Sequence, residues 1–94
     1  MQNQVNDQTI EEMEQETIHA IFKGEKQKVI VLYRMVEQIW TKGNTYTRTL
    51  IANQFILPLS QQLEMHYSWG KEYLNLFPKQ LKLEYIRQIH GLGV

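Results

Sequence analysis

Apolar residues recur along this chain at the three- and four-residue spacing of amphipathic helices. The clearest case is the segment 29–40, VIVLYRMVEQIW, in which nine of twelve residues are apolar. Wound as an α-helix, its apolar positions cover an arc of about 200°. So little polar surface remains that other elements must cover this segment, and we expect it to be the central helix of a helical domain. Its buried positions are predicted to be Val29, Leu32, Tyr33, Val36, Ile39 and Trp40, with Val31 and Met35 widening the arc.

A shorter amphipathic segment precedes this helix. Thr9 and Glu12 match the S/T-x-x-E pattern of a capping box, which predicts that a first helix begins there. This helix runs to about Lys23 and stops at Gly24, and the second helix then extends to about Lys42. The predicted stripe of the first helix is Ile10, Met13, Thr17, Ala20 and Ile21, with Ile18 at its edge.

The third helix begins near Thr45 or Thr47 and contains Pro58. Two arrangements fit: the helix continues to about His66 with a kink at Pro58, or it breaks there and restarts. The apolar stripe keeps its phase across the proline, which favours the kinked helix slightly. The stripe is Ile51, Ala52, Phe55, Ile56, Leu59 and Leu63. A second stripe, formed by Tyr46, Leu50 and Leu57, lies on the opposite side.

Two further helices complete the predicted fold. Ser68 is expected to cap a short helix that reaches Phe77, and Pro78 to open the last helix. In that last helix Leu81, Tyr85, Ile86 and Ile89 are predicted to face the core. The sequence therefore predicts an all-α protein, an antiparallel bundle of four to five short helices. Residues 9–94 form its single domain, and residues 1–8 are a disordered polar tail.

Composition and charge narrow the class of protein. The 94 residues include no Cys, so disulfides and thiolate metal sites are excluded. No apolar run is long enough to span a membrane, and the polar N-terminus does not resemble a secretory signal, which predicts a cytoplasmic protein. Net charge is zero, but residues 1–22 carry five acids and no Lys or Arg. Two explanations of this acidic segment fit the sequence. Acids are favourable at the positive, N-terminal end of the first helix, or the acidic helix lies over a basic surface on the rest of the protein.

Groups suited to catalysis are scarce. Asp7 is the only Asp, Ser60 and Ser68 are the only serines, and the five glycines form no phosphate-binding loop. Glu16 and His19 have the i, i+3 spacing of a metal-binding pair, but a single pair facing outward is insufficient for a metal centre. We therefore expect no enzymatic activity, no cofactor and no metal.

The function predicted from the sequence is protein–protein contact, as a regulator or accessory subunit that self-associates or binds another protein. The second stripe of the third helix is hard to bury inside one small monomer. The mixed segment MHYSWGK adds aromatic and polar groups typical of binding surfaces. The predicted interface residues are Tyr46, Leu50, Leu57, His66 and Trp69.

The alternative function is nucleic-acid binding through a degenerate helix-turn-helix in residues 47–62. The residues for such contacts are Arg48, Lys42, Gln61 and Gln62. Phosphate contacts dominate nucleic-acid affinity, and a neutral chain is a poor candidate unless its bases cluster. Pro58 in place of the usual glycine turn also disfavours this alternative.

Overall fold

The fold consists of helices joined by very short turns. The computed structural model describes residues 6–92, over which the chain forms five helices, one of them kinked. These are α1 (Asp7–Phe22), α2 (Lys26–Lys42), the kinked helix, α5 (Tyr67–Asn75) and α6 (Lys79–Leu92). The kinked helix comprises α3 (Thr45–Ile51), a π-helical segment (Ala52–Ile56) and α4 (Leu57–Met65). The predicted all-α class with a kinked third helix is confirmed.

The ends of α1 differ in how well the sequence predicted them. The N-cap is Asn6, whose side chain accepts a hydrogen bond from the backbone N–H of Thr9 at 3.0 Å, so the predicted cap at Thr9 is wrong. The end at Gly24 is confirmed, because its φ of +73° is a conformation that favours glycine. Most of the predicted tail, residues 1–5, lies outside the described residues, and residues 7 and 8 belong to the first turn of α1.

The kink in the third helix is a widened turn that precedes Pro58. The backbone N–H of Leu57 bonds to the carbonyl of Ala52, five residues back instead of four. Proline has no N–H to donate, and in a regular helix its ring would collide with the carbonyl four residues earlier, here that of Gln54. The π-helical segment opens the turn at this point, so the chain passes Pro58 without ending the helix.

The centre of the core is the kinked helix, which contacts each of the other four helices. The predicted stripe of this helix is buried in full, and Phe55, Leu59 and Leu63 have no exposed surface. The expectation that α2 is the central helix is therefore wrong. One side of α2 packs into the core through residues such as Tyr33, while Val31 and Met35 are exposed.

Two buried polar side chains bear on stability. The hydroxyl of Tyr33 donates to the backbone carbonyl of Tyr73 at 3.0 Å, and burial raises the pKa of that hydroxyl. Glu14 of α1 is also buried, and burial followed by repulsion from Glu11 raises the pKa of its carboxyl. A charged Glu14 carboxylate is thus an unfavourable component of the fold at neutral pH.

The corner between α4 and α5 is the tightest connection in the fold. His66 alone separates the two helices, and α5 already begins at Tyr67, so the predicted cap at Ser68 is wrong. Gly70 lies against the last turn of α4: a Cβ built on it would be 2.1 Å from the carbonyl oxygen of Leu63. Only a residue without a side chain permits this approach of the two backbones.

Candidate functional site

The most unusual surface of the molecule lies along α6, because this helix buries polar residues and exposes apolar ones. Glu84 is buried and Gln88 is half-buried, while Leu83, Ile86 and Ile89 are exposed. The expectation that Ile86 and Ile89 face the core is wrong. Leu81 is buried as predicted. Relative to the predicted orientation, α6 is rotated by roughly 70° about its axis.

Hydrogen bonds to the rest of the fold account for this rotation. The side-chain amide of Gln88 donates to the carbonyl of Ala52, in the π-helical segment, at 2.9 Å. At the other end of α6 the backbone N–H of Gln80 donates to a carboxylate oxygen of Glu37 on α2 at 3.0 Å. The buried carboxylate of Glu84 accepts from the guanidinium of Arg87, with Nε to Oε1 at 2.9 Å. The bonds of Gln88 and Gln80 fix the polar side of α6 inward, and Leu83, Ile86 and Ile89 are left exposed.

An open groove follows the apolar side of α6, where it passes α4. We call it the α4–α6 groove; its volume is about 690 Å³. Met65, with 75% of its surface exposed, lies at one end of it. The groove is lined by Leu57, Ser60, Gln61, Glu64, Met65, Tyr85, Gln88 and Ile89. A concave surface with a mainly apolar lining and a few polar groups is typical of a binding site.

The polar groups in the groove are largely satisfied by one another. The hydroxyl of Tyr85 donates to the carboxylate of Glu64, and the hydroxyl of Ser60 donates to the carbonyl of Leu57 at 3.1 Å. Burial, and next the bond to Glu64, raises the pKa of Tyr85, so its hydroxyl stays protonated at neutral pH. The amide oxygen of Gln88 is the exception, since it is buried and accepts no hydrogen bond from the residues that the structure describes.

Two smaller depressions adjoin the groove. One, of about 210 Å³, lies between α5 and α6 and is separated from the groove by Tyr85; its lining includes Lys71 and Lys82. The other, of about 260 Å³, shares Leu57 and Gln88 with the groove and includes Arg87. Lys71 and Lys82 therefore lie beside the groove at Tyr85, whereas Arg87 lies beside Leu57 and is paired with Glu84.

An aromatic cluster lies at the α4–α5 corner, directly after the end of the groove at Met65. His66 stacks on Trp69 with 5.1 Å between ring centroids, and Phe22 meets Trp69 edge-on at 5.5 Å. All three rings are exposed in part. Two of the predicted interface residues, His66 and Trp69, are thus neighbours on the surface.

The other predicted interface residues are not gathered at one place. Tyr46 is exposed at the start of α3, and Leu57 lines the groove. Leu50 is only 8% exposed and belongs to the core, so its placement on an exposed stripe is wrong. Since α3 packs against both α1 and α2, both of its sides are covered at Leu50.

The residues predicted for nucleic-acid contact are also separated. The guanidinium of Arg48 donates to the carbonyl of Trp40 at 2.8 Å and lies over the Trp40 ring, so it caps the end of α2. Lys42 is the last residue of α2, Gln61 lines the groove, and Gln62 is exposed. Residues 47–62 lie within one kinked helix, so the predicted helix-turn-helix geometry is wrong for this segment.

Sequence reasoning missed Met65, Tyr85, Gln88 and Ile89 as members of a binding groove. A signal was present, because α6 has a second apolar stripe in addition to its core contacts. Leu83 and Ile86 are spaced i, i+3, and Tyr85 and Ile89 are spaced i, i+4. One helix cannot bury all of these positions against a single neighbour.

Two further kinds of feature are absent from residues 6–92. No helix in this part of the chain has the length and apolar character needed to cross a bilayer. Within the same range, no three His, Asp or Glu side chains are grouped as a metal site would require.

Comparison with known proteins places the chain in a family. Residues 2–91 match the family described as "Domain of unknown function (DUF7674)", and the chain therefore belongs to it. No curated protein and no solved structure matches the chain.

Proposed function

We propose that this member of the DUF7674 family is a non-catalytic protein-binding module whose α4–α6 groove receives a helix of a partner protein. The observation that carries the proposal is the orientation of α6. Its residues Glu84 and Gln88 face the inside of the fold, and Tyr85 and Ile89 line an open groove. In this proposal the protein is a cytoplasmic regulator or accessory subunit.

The shape and chemistry of the groove support a helix as the occupant. Two packed helices form its walls, and an amphipathic helix that lays its apolar face into such a groove is a recurrent mode of recognition. Met65 and Ile89 would lose their exposed surface on binding. Complete burial of a side chain of this type stabilises a complex by about 1.5–3 kcal/mol, so partial burial of these two contributes about 2–3 kcal/mol together.

The state of the polar groups supports binding over catalysis. A general base in the groove would have to be Glu64, but its carboxylate is engaged by the Tyr85 hydroxyl. Tyr85 itself holds its proton at neutral pH, because burial raises its pKa. The pair therefore acts as a hydrogen bond that positions the groove wall.

The proposal is tested with a designed peptide whose helix has leucines on one face and glutamines on the others. Titrated into the ¹⁵N-labelled protein, it should shift the amide signals of α4 and α6 in a saturable manner. Ile89→Gln should weaken this binding severalfold, because the side chain lines the groove. Leu83→Gln is the matched control, since it removes a comparably exposed side chain from the same helix without touching the groove. Absence of saturable shifts, or equal weakening by both variants, would overturn the proposal.

Self-association and nucleic-acid binding stay predictions from the sequence. Light scattering at high micromolar concentration tests the first, and a monomer there contradicts it. Binding to mixed duplex DNA at low salt tests the second, because the phosphate contribution is strongest under those conditions.

A further inference from the structure

The charges around the α4–α6 groove specify the partner more closely. We infer that the occupant is an acidic amphipathic helix, with an apolar stripe for the groove and Asp or Glu residues where it passes Lys71 and Lys82. This inference rests on the proposed function and adds the chemistry of the partner to it.

The acids near the groove are already occupied within the fold. Glu64 accepts the hydroxyl of Tyr85. Glu72 lies 2.5 Å from the ammonium of Lys26 on α2. Neither carboxylate is therefore available to receive a cation from a partner without losing an existing contact.

The bases near the groove are, in contrast, open to a partner. Lys71 and Lys82 line the depression beside Tyr85 and form no salt bridge with any residue that the structure describes. Local contacts hold both ammonium groups in place: that of Lys82 lies 3.0 Å from the carbonyl of Asn75, and that of Lys71 lies 5.9 Å from the ring of Tyr67. A carboxylate on the partner would thus meet two positive charges beside Tyr85.

Arg87 adds less to this attraction. Its side chain is 71% exposed, but its guanidinium pairs with the carboxylate of Glu84, which is 8% exposed, so the pair has no net charge. The charge preference therefore rests on Lys71 and Lys82, beside Tyr85. Since these two bases adjoin an apolar floor, an amphipathic helix with acids at that end matches the surface.

A second copy of this chain fits less well. Two copies joined through the same groove would each offer Lys71 and Lys82 where a carboxylate is required, and like charges in proximity oppose association. The acidic helix of the chain, α1, has its apolar stripe buried in its own core. It can offer carboxylates but not the apolar face that the groove requires.

The test uses three peptides with one leucine stripe and flanks of Glu, Gln or Lys. We expect the Glu peptide to bind about threefold to tenfold tighter than the Gln peptide at low salt, and the Lys peptide to bind most weakly. Raising the salt to about 0.5 M should bring the three dissociation constants together. Lys82→Gln should lower the Glu-to-Gln ratio. Lys28→Gln, the matched control, should leave it unchanged, because Lys28 lies beside Glu16 of α1.

The outcomes separate the two claims. Equal binding of all three peptides, or tightest binding of the Lys peptide, overturns the acidic-partner inference and leaves the groove as a docking site. If none of the peptides binds, the proposed function fails. A dimer in light scattering that the Gln peptide dissociates would identify a second copy as the occupant and would also overturn the inference.

Discussion

Replacing Gly70 by alanine is the most direct test of the α4–α5 corner. The added Cβ would lie 2.1 Å from the carbonyl oxygen of Leu63 and 2.8 Å from its carbonyl carbon. These are backbone atoms and cannot rotate away, so α5 must move by more than about 1 Å to restore ordinary contact. Forcing extra atoms into packed structure costs about 1–3 kcal/mol. The movement of α5 also opens a gap between α4 and α5, and much of the dispersion energy between them is lost.

Alanine is a better helix former than glycine, and this offsets part of the cost. The gain is about 0.5–1 kcal/mol, which leaves a net destabilisation of about 1–2 kcal/mol. For a domain of this size, 1 kcal/mol corresponds to about 4–8 °C, so Tm should fall by about 4–16 °C. Thermal unfolding followed by circular dichroism at 222 nm measures this shift.

Gly91 provides the control, because it lies in α6 with no atom near the position of a Cβ. Gly91→Ala removes the same flexibility without the collision, and Tm should stay level or rise by a few degrees. If Gly70→Ala unfolds within about 2 °C of the unmodified protein, the close approach of α4 and α5 is refuted.

Three more predictions test the core. Glu14→Gln should raise Tm at pH 7, because a carboxyl whose pKa is raised by folding opposes folding when it is ionised. The difference in Tm between the variant and the unmodified protein should shrink as pH falls through the folded-state pKa, and a difference that does not depend on pH contradicts this. Tyr33→Phe leaves the Tyr73 carbonyl without its donor and should cost about 1–2 kcal/mol in urea denaturation; an unchanged midpoint contradicts this. Leu50→Arg should abolish cooperative unfolding while Leu57→Arg, half-exposed, leaves it intact; equal effects would refute the core position of Leu50.

The periodicity of apolar residues predicted most of the fold, and it contained a sign of the π-helical segment. Ile51, Phe55, Leu59 and Leu63 are four residues apart and all fully buried. In a regular α-helix such a row drifts by about 40° per step, or about 120° in all. One extra residue in a widened turn removes about 100° of that drift. The proline indicated where the helix bends. The widened turn explains how a row of residues spaced four apart stays buried.

The orientation of α6 could not be predicted in the same way. Tyr85, Ile86 and Ile89 form the more apolar arc, and counting hydrophobic positions turns that arc inward. The structure turns it outward because Gln88 bonds to a carbonyl of Ala52, 36 residues earlier. A contact so distant in sequence leaves no periodic signal, so the sequence showed that α6 has more apolar positions than one neighbour can bury but not which of them stay exposed.

Because His66 alone links α4 to α5, the two helices cannot swing independently. The carbonyl of Tyr73 on α5 in turn holds the buried hydroxyl of Tyr33. The α4 wall of the groove is thereby connected, through His66 and α5, to Tyr33 in the core. A partner helix would bind a groove that is already formed. Its association rate would therefore depend on diffusional encounter and electrostatic steering, and not on a rearrangement of this protein.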